Sequence, residues 1–82
     1  MKLLIKNEII DLSFYHRIRK LNKRDGETHH RFIVFDYKRA ILRETDYWLE
    51  FDTKEERDDV FNQIIGWYKY RDTLEEIILI KI

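Results

Sequence analysis

Phe51–Tyr70, FDTKEERDDVFNQIIGWYKY, decides the fold, because its local signals all ask for one structure. Thr53 is a good N-cap, and Glu56 three residues later can return a hydrogen bond as in a capping box. Asp52, Glu55 and Glu56 sit where the positive end of a helix dipole favours carboxylates. Phe51, just before the cap, can meet Arg57 or Val60 across the first turn. Val60, Phe61, Ile64, Ile65 and Tyr68 recur at three- and four-residue spacing, while Asp58, Asp59, Asn62 and Gln63 fall on the wet side. The spacing predicts an amphipathic helix over about 53–70 whose apolar stripe needs a sheet to cover. Gly66 costs about 1 kcal/mol relative to Ala inside a helix. It either permits close packing on the sheet or ends the helix early; Trp67 and Tyr68 still fit the stripe, which keeps the helix to about Tyr70.

Working outward, the flanks supply the strands. Tyr47, Leu49 and Phe51 alternate as a last strand before the helix, with Trp48 on the opposite face. His29–Asp36 has apolar residues on both faces, Phe32 and Val34 against Ile33 and Phe35, and so reads as a central strand. Asn22–Thr28 is a break with Asp25-Gly26 as its turn pair. Lys2–Lys6 and Glu8–Phe14 read as hairpin arms turning near Asn7, with Leu3, Ile5, Ile10, Leu12 and Phe14 inward. The alternation runs on through His16 and Ile18 to about Leu21, with Tyr15, Arg17 and Arg19 facing the other way. A short helical turn across Tyr15–Lys20 is the alternative. Tyr37–Glu44 either continues the central strand or turns back into a short strand through Ala40, Ile41 and Leu42, and Arg43–Asp46 is a polar turn. Arg71–Thr73 is a turn, and the tail 74–82, rich in isoleucine, is an aggregation hazard unless paired. It either returns to the sheet beside the N-terminal hairpin or pairs with a second copy to make a homodimer. The expectation is one α+β domain spanning 1–82: an antiparallel sheet of four to six strands, one amphipathic helix packed on it, and a C-terminal strand.

Composition narrows the function classes. The chain has 82 residues, no proline and no cysteine, so thiolate catalysis and Cys-containing zinc patterns are excluded. No apolar run approaches the ~20 residues that span a bilayer, and the alternating N-terminus is unlike a signal peptide. A soluble, cytoplasmic protein without a membrane partner is expected. Richness in Lys, Ile, Glu and Asp without Pro or Cys suits an AT-rich bacterial or phage genome. The net charge of zero hides a split: residues 1–43 carry eleven Lys and Arg against five Asp and Glu, and residues 44–82 carry five against eleven. Either this orients the domain on a charged partner or it cancels in three dimensions.

Chemistry has few candidates. Ser13, the sole serine, is outside any G-x-S-x-G elbow. His29 and His30 are adjacent on a strand, so at most one can join His16 in an acid–base pair. The acids Asp52, Glu55, Glu56, Asp58 and Asp59 lack the glycine and spacing of a calcium loop and are explained by the helix dipole. Gly26 and Gly66 stand alone, so no phosphate-cradling loop exists. No catalytic residue, metal site or cofactor is expected.

Binding has better candidates. Arg17, Arg19, Lys20, Lys23 and Arg24, with Tyr15 or His16 as a stacking plane, interleave basic and aromatic groups in the manner of a nucleic-acid-binding sheet, although a neutral domain lacks the basic excess of such proteins. Trp48 and Trp67, the latter with Tyr70, are residue types that anchor protein interfaces. The leading expectation is a small non-enzymatic protein-binding module, accessory or regulatory, with an unidentified protein partner; the alternative is a nucleic-acid-binding protein using strand 14–24. The segment Tyr47–Gly66, with WLEFDTKEERDDVFNQIIG at its centre, resembles the end of PH-like folds, in which a bent antiparallel sheet is closed by one amphipathic helix. That resemblance implies a binding scaffold rather than a catalyst and carries over no ligand residues.

Overall fold

In the computed structural model, which describes residues 1–38, 46–73 and 75–82, two tight turns set the first four strands. Strands β1 (Lys2–Ile5) and β2 (Glu8–Asp11) are joined by Lys6 and Asn7, both left-handed at φ 50° and 66°, the type I′ geometry whose twist suits a two-residue hairpin. Strands β3 (Tyr15–Asp25) and β4 (Thr28–Tyr37) are joined by Gly26 and Glu27. Only Gly26 has positive φ, at 62°, as in a type II′ turn where a residue without a Cβ is favoured. The turn therefore sits one residue later than Asp25-Gly26, and strand continues through the Asn22–Asp25 stretch expected to be a break. Strand β5 (Tyr47–Phe51), helix α1 (Lys54–Tyr68) and strand β6 (Ile77–Leu79) complete the order. The expectations for Ala40, Ile41, Leu42 and the turn from Arg43 concern residues outside those described.

The fold is α+β, but the single antiparallel sheet gives way to two three-stranded sheets, β2-β1-β6 and β3-β4-β5. The tail pairs beside the N-terminal hairpin, and it does so parallel to β1, with Leu3 opposite Ile78 and Leu4 opposite Leu79. The separation comes at Leu12–Phe14. Asp11 accepts hydrogen bonds from the backbone N–H and hydroxyl of Ser13, closing a short 3-10 turn that ends β2. Phe14, expected inward, is thereby left exposed.

Helix α1 covers both sheets. Thr53 caps it, its Oγ1 accepting the Glu56 N–H at 3.1 Å. Val60 and Ile64 are fully buried in one core with Leu3, Ile5, Leu12, Ile33 and Phe35, and Phe61 and Tyr68 pack against its margin. The apolar stripe is narrower than the sequence suggested: Ile65 is exposed, and the buried position one turn before Val60 is Arg57. That guanidinium donates to the Asn22 side chain, to the Leu21 carbonyl and to Asp58, which pins the helix to β3. Gln63 clamps the tail, its amide donating to the Lys81 carbonyl at 2.6 Å and accepting the Lys81 N–H at 3.0 Å.

Gly66 lies inside the helix, and a Cβ built there meets no atom within 4 Å. Close packing therefore does not explain it. Gly66→Ala is expected to stabilise the fold by about 0.5–1 kcal/mol, the ordinary helix-interior difference, measured as a higher urea midpoint. A destabilised variant would mean that the helix bends there in a way alanine cannot follow.

Candidate functional site

Strand alternation divides the larger sheet into two faces. Ile18, Ile33, Phe35, Tyr47, Leu49 and Phe51 point to the core and helix. Arg17, Arg19, Leu21 and Lys23 of β3, His30, Phe32, Val34 and Asp36 of β4, and Trp48 and Glu50 of β5 point the other way, where no described element covers them. This outer face is the candidate site.

Its layout depends on one irregularity. Tyr15 pairs with Tyr37 and Arg17 with Asp36, so two steps on β3 match one on β4 and His16 is the extra residue of a β-bulge. The bulge reverses the side-chain parity. Tyr15, expected on the face of Arg17 and Arg19, turns into the core edge and packs its ring on Phe35 and Tyr37 at 5.7 and 6.0 Å between centroids. His16, expected inward, is exposed. The Tyr68 hydroxyl donates to the His16 carbonyl at 3.0 Å, so the helix's last turn holds the bulge in place.

Beyond the bulge, Asp36 is 4% exposed and anchors both arginines. Arg17 Nε donates to its Oδ2 at 2.6 Å; Arg19 Nε donates to the same oxygen at 3.1 Å and reaches Oδ1 at 3.4 Å. Burial alone would push the Asp36 carboxyl up, but the hydrogen bonds from Arg19 and Arg17, with their charges, outweigh it and hold the group below the usual carboxylate range. Beside this triad Val34 is fully buried between its cross-strand partners Arg19 and Trp48. Trp48, 44% exposed, meets Phe32 edge-on at 5.1 Å, and His30 stacks on Phe32 while its Nδ1 lies 2.6 Å from Glu50 Oε2. A recess of about 450 Å³ opens between the arginines, Asp36, Asp46 and Trp48.

The fold thus brings together Arg17, Arg19 and Trp48, with Lys23 farther along the same face. It separates the others. Lys20 turns to the helix, its Nζ 3.5 Å from Asp58 and 5.2 Å from the Phe61 ring centroid. Arg24 is spent on its own turn, donating from Nε to the Gly26 carbonyl. Trp67, in the helix's last turn, pairs with Tyr70 in the turn that follows and is not among the residues of the recess. Asp36 and Phe32 were missed as site residues, although each was legible: both share the parity of Val34 on a strand whose other face is core. No group of His, Cys, Asp and Glu among the described residues could hold a metal ion, and no described helix is long and apolar enough to cross a membrane.

Comparison with protein families, with curated proteins and with solved structures finds no match to this chain.

Because the Asp36 pKa is lowered by folding, its pairing contributes stability above the unfolded value near 3.8 and loses it as pH falls through the lower folded value. Acidification from roughly pH 7 to pH 3 should therefore lower the urea midpoint of the wild type more than that of Asp36→Asn. Equal losses in the two proteins would show that the carboxylate is not linked to folding.

Proposed function

We propose that this chain is a non-enzymatic protein-binding module, of accessory or regulatory kind, that takes its partner on the outer face of β3, β4 and β5. The observation that carries the reading is a sheet face, covered by no element among the described residues, on which an exposed tryptophan stands beside two arginines fixed by a buried acid. Trp and Arg dominate interface energetics because they combine large contact area with directional donors, and side chains already held in place lose little entropy on binding. The strand–cap–helix order of β5 and α1 suits a PH-like binding scaffold, and a cytoplasmic setting suits the chain's composition.

A nucleic-acid reading draws on the row of Arg17, Arg19 and Lys23 along one strand face. Of the two rings expected to stack, Tyr15 faces the core while His16 is exposed and lines the recess beside Arg17 and Arg19; against the reading, Lys20 and Arg24 are engaged elsewhere. Affinity capture from the source cell should retain a partner with wild-type protein and with Trp67→Ala, and lose it with Trp48→Ala. Steeply salt-dependent binding to single-stranded DNA or RNA, with no protein retained, would instead favour the second reading.

Self-association through the tail belongs to the same proposal. The outer face of β2-β1-β6 carries Ile9, Ile77 and Leu79 at 57–65% exposure, and β6 is a sheet edge. An antiparallel pairing of two tails about Ile78 would set Glu75 of one copy opposite Lys81 of the other. Sedimentation equilibrium should give a dimer that Leu79→Lys converts to a folded monomer; a wild-type monomer at high micromolar concentration would remove the dimer from the proposal.

A further inference from the structure

Resting on the protein-binding reading, we propose that the recess between Arg17, Arg19 and Trp48 is a carboxylate site, which selects a partner segment carrying an Asp, Glu or terminal carboxylate next to an apolar side chain. The geometry of the guanidinium groups points there. Each meets Asp36 through Nε, the nitrogen nearest its own chain, and the terminal nitrogens have no acceptor among the described residues. Asp36 is buried while Arg17 keeps 61% and Arg19 36% of its side-chain surface exposed, so the acid forms the floor and the terminal N–H groups are left for a ligand. Two guanidinium groups that share one carboxylate as their anchor present terminal N–H donors to the same recess, and a guanidinium fork matches a planar carboxylate. Trp48 and Phe32 form an apolar wall next to them, which a residue adjoining the carboxylate can cover.

Charge balance selects the class of anion. Arg17 and Arg19 are matched in the recess by Asp36 and Asp46, and Asp46 holds its own position by accepting the Tyr37 N–H at 3.0 Å. Among the described residues, two guanidinium groups and the His16 imidazole meet two carboxylates in the recess. Repulsion from Asp36 and Asp46 acts on any anion there and grows with its charge, so a single carboxylate is penalised less than a polyphosphate chain while still meeting the donors it touches.

The test uses amide-resolved and side-chain-resolved NMR of the labelled full chain, titrated with acetyl-Leu-Glu-Phe-amide, with its Gln counterpart, and with a short oligothymidylate. Saturable shifts of the Trp48 indole and the Arg17 and Arg19 Nε–H signals with the Glu peptide, at least fivefold weaker with the Gln peptide and lost in Arg19→Gln, are the expected result. Equal binding of the two peptides at Trp48 would overturn the carboxylate site and leave the protein-binding reading standing. Shifts with the oligothymidylate alone would overturn both, and no shift with any probe would overturn the carboxylate site while affinity capture still judges the wider reading.

Discussion

Everything in this fold depends on one narrow helix face covering two small sheets. A three-stranded sheet with one apolar face is near the minimum that holds together in water, and among the described residues no element covers the other face of either sheet. The buried residues Val60 and Ile64 supply the shared ceiling, and Leu3 and Ile5 from one sheet meet Ile33 and Phe35 from the other beneath them. Polar clamps fix the helix at its ends and flank: Arg57 on β3, Tyr68 on the bulge, Gln63 on the tail. The N-terminal amine donating to the Arg71 carbonyl at 2.9 Å adds a fourth tie. A helix held this way transmits its position to the outer face of the larger sheet, because the bulge that orients Arg17 is tethered to Tyr68.

How much of this could be read from the sequence follows from which signals are local. The helix start was legible because Thr53 and Glu56 act within one turn, and the central strand was legible because β4 is apolar on both faces. Misplacing the β3–β4 turn by one residue did little harm. It shifts every cross-strand pair by two positions, which preserves the face each side chain occupies, so Arg17, Arg19 and Trp48 still fell on the outer side. The bulge at His16 was not legible in the same way. One extra residue reverses parity, and no residue near Tyr15 signals it; the reversal follows from burying Tyr15 against Phe35 and from the Tyr68 bond, both long-range. Likewise the break into two sheets hangs on Asp11 capping a short turn in a stretch whose alternation otherwise reads as continuous strand.

Arg57 shows the limit of hydrophobic pattern alone. It occupies the buried stripe one turn before Val60, where the periodicity asks for an apolar side chain. Its burial is supported because acceptors converge on it from two elements, Asn22 and the Leu21 carbonyl from β3 and Asp58 from the helix. A buried charge left without such partners would be strongly destabilising. Asp36 is the same problem solved at the opposite face, with the charge sign reversed and the partners drawn from a single strand.

Ion pairs in the fold cross the split between a basic first half and an acidic second half. Lys6 meets Glu56 at 3.4 Å, Lys20 meets Asp58 at 3.5 Å and Lys38 meets Asp72 at 3.8 Å, each pair joining one half to the other. Such exposed pairs contribute little to stability individually, but they bring basic groups of the first half beside acids of the second and so offset part of the split. What remains on the open sheet face is directional: guanidinium nitrogens at fixed positions beside an aromatic wall. Long-range steering of a polyanion requires several unpaired cations acting together, and this face has already matched most of its own. Under the proposed reading, recognition there comes from contact, from the apolar area of Trp48 and Phe32 and from hydrogen bonds whose geometry Asp36 sets in advance.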